Sequence, residues 1–148
     1  MRHDKPLLGW MKTVLQIAAV YNVLAGFSML VFYHEGFKLM GVEKPDVNLP
    51  IQLVGICVGL FGVGYWLVSV NPVENRNVLL LGLLSKGLGS VLGIYYLAQG
   101  KLPWYFLPVL FFADIIYLVP FAVTYRRLRR LAGEQQEAGC HRTQSLAA

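Results

Sequence analysis

Two residues combine ionisable chemistry with an apolar setting. Lys86 lies in VLLLGLLSKGLGSVLGIYYLA (78–98), and Asp114 lies in LPWYFLPVLFFADIIYLVPFAVTY (102–125). A lone ammonium near the middle of a membrane helix costs roughly 2.5–3.5 kcal/mol on insertion scales, so Lys86 is expected to have a mate. Asp114 is the one acid inside another apolar stretch. Lys86 lies thirteen residues before Gln99, and Asp114 lies twelve after Leu102, on either side of a short turn. As antiparallel helices the two sites differ in depth by about 1.5 Å. A lysine stem absorbs that mismatch. The chemistry admits two readings. One is a structural ion pair that fixes helix register. The other is a proton or ion relay, or a site for the polar head of a ligand.

Gln16, Asn22 and Gln52 are amide residues inside the apolar runs. Their amides either hydrogen-bond between helices, at roughly 0.6–2 kcal/mol each, or extend the pair into a polar pocket. The intramembrane polar cluster read from the sequence is therefore Lys86, Asp114, Gln52, Asn22 and Gln16. No residue is assigned a catalytic role. His3, His34 and His141 are scattered, and no His/Cys/Asp/Glu group has metal-ligand spacing, so no metal and no cofactor is assigned. The chain has no GxSxG and no phosphate loop. Cys57 sits in an apolar run and Cys140 in a polar tail, without a CxxC motif, which argues against a disulfide.

The elements that must position these residues are membrane helices. The 148 residues are 56% hydrophobic and 14% charged, where a soluble domain carries about 25% charge. The fold class is all-α, a polytopic membrane protein with a four-transmembrane-helix bundle. Spans are expected at about 13–33, 50–70, 78–98 and 103–125. Residues 1–130 form this domain, and 131–148 form a polar cytoplasmic tail expected to be disordered. A signal peptide is disfavoured, because no A-x-A-like site follows the basic leader. The loop 34–49 contains EGFKLMGV, expected to form one or two interfacial turns that Gly41 and Pro45 end. Pro50 and Pro103 suit helix starts. Pro120 frees the carbonyl of Ile116, which a neighbouring helix must satisfy.

Gly55, Gly59 and Gly62 recur at i, i+4 and i+7, a ridge expected to face another helix closely. Gly89 and Gly93, beside Lys86, are also assigned to helix packing. Ala18, Asn22 and Gly26 share one small, polar face of the first span. Tyr65 and Trp66, and the group Tyr95, Tyr96, Trp104, Tyr105 and Phe106, read as headgroup belts. The basic run Arg126–Arg130 reads as a topology anchor, with anionic lipid as the other reading.

Lys and Arg set the orientation. Arg2, Lys5, Lys12, Arg76, Arg126, Arg127, Arg129, Arg130 and Arg142 share one side, and Lys38, Lys44 and Lys101 the other. Both termini are thus expected in the cytoplasm. The bases flank apolar spans and form no aromatic-interleaved patch, so nucleic acid is not an expected partner.

Several stretches together carry a resemblance: QLVGICVGLFGVGYWLVSVNP, LLGLLSKGLG, GKLPW and ADIIYLVPF. Their order resembles a family of small, four-helix bacterial membrane proteins of unassigned function and, more distantly, the DoxX-like proteins. The first span, with GFSMLVFYHEGFKLMG, is similar in shape to the DoxX-like one. The resemblance covers roughly 21–121, with matching positions at Gln52, Gly59, Gly64, Lys86, Gly89, Pro103, Asp114 and Pro120. The family often has asparagine before the acid and tryptophans after it, where this chain has Ala113, Tyr117 and Leu118. The DoxX-like resemblance implies a redox or respiratory accessory role.

The function expected is that of a multi-pass inner-membrane protein, a non-enzymatic accessory or small-ligand-binding protein. The alternatives are a small transporter subunit that uses the Lys–Asp pair as a proton or substrate site, and an integral membrane enzyme acting on lipid or quinone. The expected partners are the lipid bilayer and a larger membrane complex or homo-oligomer.

Overall fold

A computed structural model of the chain describes residues 7–41, 43 and 45–147, with backbone alone at 40 and 138–147. The expectations for Arg2, His3, Lys5 and Lys44 lie outside the described residues, as do those for the side chains of Cys140, His141 and Arg142. The chain forms α1 (Gly9–Val31), α2 (Tyr33–Met40), α3 (Leu49–Val70), α4 (Arg76–Ala98), α5 (Phe106–Leu110), a π-helical turn (Phe111–Ile115) and α6 (Ile116–Ala147). Among the described residues there is no strand. This is an all-α four-helix membrane bundle.

Among the described residues four helices are long and apolar enough to cross a membrane: α1, α3, α4 and the continuous run Phe106–Glu137. Only 17–33% of the residues in their apolar windows are buried inside the protein. Helices this apolar and this exposed need a hydrocarbon solvent around them. The protein is a multi-pass membrane protein.

The boundaries follow local chemistry. Pro50 stands in the first turn of α3, where a missing N–H costs nothing. Gly41 closes α2 with φ of 64°, a left-handed cap that glycine adopts without strain. Gly100, with φ of 67°, turns the chain after α4, and Lys101 N–H bonds back to Tyr96 O at 3.0 Å. The fourth helix starts at Phe106 and not at Pro103, because Pro103 and Trp104 carbonyls accept the first turn's bonds from Phe106 and Leu107.

Two helix pairs make the bundle, α1 with α3 and α4 with the fourth span. Beside the α1–α3 seam lies a core of Met11, Leu15, Ala18, Ala19, Tyr65, Val68, Leu79, Tyr117, Phe121 and Leu128. The polar tail differs from the expectation of disorder, since α6 runs on to Ala147. Residues 131–138, LAGEQQEA, are mostly strong helix formers without proline, and they extend a helix already nucleated upstream.

Candidate functional site

The fourth span is not a regular helix where it carries its acid. Through Phe111–Ile115 the ladder widens, and Ile116 N–H bonds to Phe111 O, five residues back. Such single π turns are recurrent at functional positions. Backbone loosened at membrane depth needs a partner from a neighbouring helix. That partner is Lys86. Its Nζ donates to Ala113 O at 2.6 Å and to Asp114 Oδ1 at 3.1 Å. The Ala113 carbonyl is thus satisfied from a neighbouring helix.

The two partners are unequally enclosed. The Lys86 side chain is 5% exposed, and Nζ also stands over the Tyr117 ring, 5.0 Å from its centroid. An ammonium there is held by a carbonyl, a carboxylate and an aromatic face. The Asp114 side chain is 27% exposed. Its Oδ1 accepts from Lys86, while Oδ2 lies beside Gly89, where a Cβ would make an ordinary van der Waals contact. A Cβ on Gly89 would sit 3.5 Å from Oδ2.

Aromatic rings connect the pair to α3. Tyr117, under Lys86 Nζ, packs on Phe121, which packs on Tyr65 of α3. Tyr65 is buried against Gly82, one helical turn before Lys86, and a methyl on Gly82 would run into its ring and hydroxyl. Phe121 meets Tyr65 edge-on at 4.9 Å and Tyr117 at 5.6 Å. Sequence reasoning missed these tyrosines and the Ala113 carbonyl. A glycine four residues before the buried lysine was the available signal, since it marks space for a ring.

Among the described residues none of the amides hydrogen-bonds to the pair. Asn22 is buried, but its Nδ2 bonds to Ala18 O at 2.8 Å within α1. Short polar side chains compete in this way for their own backbone. Gln16 lies ten residues before Gly26, and Gln52 lies three before Gly55, which packs against Gly26. The two glutamines are therefore separated by roughly 20 Å along the α1–α3 pair. Ser90 donates to Lys86 O at 2.7 Å, again within one helix.

The glycines divide. A Cβ on Gly55 would come 2.9 Å from Gly26 O, and one on Gly62 would come 2.7 Å from Ala19 O. At Gly59 a Cβ would meet nothing within 4 Å. This corrects the expectation that Gly59 side-chain volume is excluded. Gly55 and Gly62, seven residues apart, lie on one line of the helix, and Gly59 is turned about 40° from Gly55. The Gly59 backbone still matters, because a Cβ on Gly26 would come within 2.6 Å of its N. Gly93 faces Leu110, whose side-chain carbons would be 2.8–2.9 Å from a Cβ there. Among the described residues no three of His, Cys, Asp and Glu come together.

No family model, curated protein or solved structure matches the chain.

Proposed function

We propose that this protein is a non-enzymatic accessory or small-ligand-binding protein of the inner membrane, with both termini in the cytoplasm. Nine basic residues against three support that orientation. In this reading Lys86 clasps the fourth span to α4, and Asp114 offers its outer edge to a hydrogen-bond donor. The donor belongs to a small ligand or to a helix of a larger membrane assembly. The observation that carries the reading is the inequality of the pair. Lys86 has its acceptors and is enclosed, whereas Asp114 is 27% exposed and spends one oxygen.

Asp114→Asn tests it. The asparagine carbonyl can still accept from Lys86, so the clasp stays, while an NH2 group replaces the free acceptor. The wild-type protein, extracted in gentle detergent, is expected to carry a small molecule or partner subunit detectable by native mass spectrometry. The variant is expected to remain folded and to lose that component. A component retained by the variant, or none on the wild type, overturns the reading. The transporter alternative is supported by the π turn at the acid, because interrupted helices mark substrate sites in transporters. Proton flux in proteoliposomes that vanishes in Asp114→Asn would favour it.

A further inference from the structure

A second site lies at the other functional extreme of the molecule, at the membrane end that carries both described chain ends. There the start of α1 and the middle of α6 enclose an open cavity of about 450 Å³. Leu8, Trp10 and Met11 of the α1 start line one side. Val123, Arg126, Arg127 and Arg130 of α6 line the other. The size falls within the range of ligand pockets, about 300–1,000 Å³. Among the described residues no acid lines the cavity. Arg126, Arg127 and Arg130 line the cavity, and Arg129 is not among its lining residues. The N-cap residue of α1 is Leu8, whose side chain caps nothing, and the first turn of α1 contains no acid. The positive end of that helix therefore adds to the field of the arginines. Beside this charge the walls are apolar, with Trp10 47% exposed.

We propose that this cavity holds an anionic phospholipid, its phosphate between Arg126 and Arg130 and its acyl chains along Trp10 and Val123. Charge complementarity selects an anion. The apolar wall, continuous with the spanning surfaces of α1 and α6, selects an anion that carries hydrocarbon. Guanidinium groups hold phosphate oxygens by paired N–H donors, and the planar indole suits the headgroup boundary. Two charges lost from such a site weaken anionic-lipid binding roughly thirty-fold.

Trp10 supplies the readout. In a Trp66→Phe, Trp104→Phe background it is the one remaining tryptophan. The protein in mixed micelles is titrated with brominated phosphatidylglycerol or brominated phosphatidylcholine, and quenching of Trp10 is followed. Phosphatidylglycerol is expected to quench at much lower mole fraction than phosphatidylcholine. Arg126→Gln with Arg130→Gln is expected to remove that preference, and Arg129→Gln, with a charge change outside the cavity lining, to keep it. If the double variant is not monodisperse, each single change is expected to remove part of the preference. Equal quenching by the two lipids overturns the proposal. So does an equal loss in Arg129→Gln, which would mean diffuse surface charge. Displacement of the lipid by inorganic phosphate alone also overturns it, since the anion would then need no hydrocarbon.

Discussion

The α1–α3 crossing and the contact of α4 with the fourth span join helices by opposite means. At the first, side chains are removed. Gly26, Gly55 and Gly62 bring backbone against backbone, and no charge is involved. At the second, polar groups are added. An ammonium reaches across to a carbonyl and a carboxylate that a widened turn presents. In lipid neither contact gains from a hydrophobic drive between helices. The glycine crossing gains from close packing and tolerates no added volume at its seam. The charged contact gains from satisfying groups that lipid cannot, and tolerates no orphan. The first is therefore the region to read for stability, and the second the region to read for function.

The contrast is broken most severely at Gly26. Gly26→Leu is expected to cost about 3 kcal/mol or more, because the added carbons meet the Gly59 backbone, which cannot yield. Folded yield and unfolding in mixed micelles measure it. At the charged contact, Asp114→Leu is expected to lose about 3 kcal/mol, since the enclosed Lys86 keeps only a carbonyl and a ring. Lys86→Met is expected to lose less, about 2 kcal/mol, because the carboxylate left behind is the less enclosed partner, 27% exposed against 5%. The same unfolding measurement ranks the two, and the reverse order would mean that Asp114 is the enclosed partner. Gly93→Ala is expected to cost under about 1 kcal/mol, as the Leu110 side chain can rotate away. Gly59→Ala is expected to be neutral or to stabilise by about 0.5 kcal/mol, through the lower chain entropy of alanine. A large loss there would place Gly59 on the seam after all.

The spans and the Lys86–Asp114 contact were legible because both are matters of length and depth. An apolar run of fixed rise and a short turn determine which residues meet. The π turn was not legible, since nothing in FFADI marks a change of period. The tyrosines were hidden by a sufficient explanation, because GYW near a span end reads as a headgroup belt. Tyr65 instead turns inward onto Gly82. Spacing alone gave the glycine ridge its face but not which of its glycines would point a side chain at α1, and Gly59 meets that helix with backbone only. Asn22 misled because its amide has a local acceptor, the Ala18 carbonyl, that no pattern of neighbours reveals.

A double-mutant cycle on Lys86 and Asp114 tests the central claim most directly. The claim is that these two residues satisfy one another across α4 and the π turn. Unfolding free energies are measured in mixed micelles for wild type, Lys86→Met, Asp114→Leu and the double variant. The predicted result is a coupling of about 2–3 kcal/mol, with the double variant recovering much of the loss because no orphan charge remains. Strict additivity of the two single losses would contradict the account.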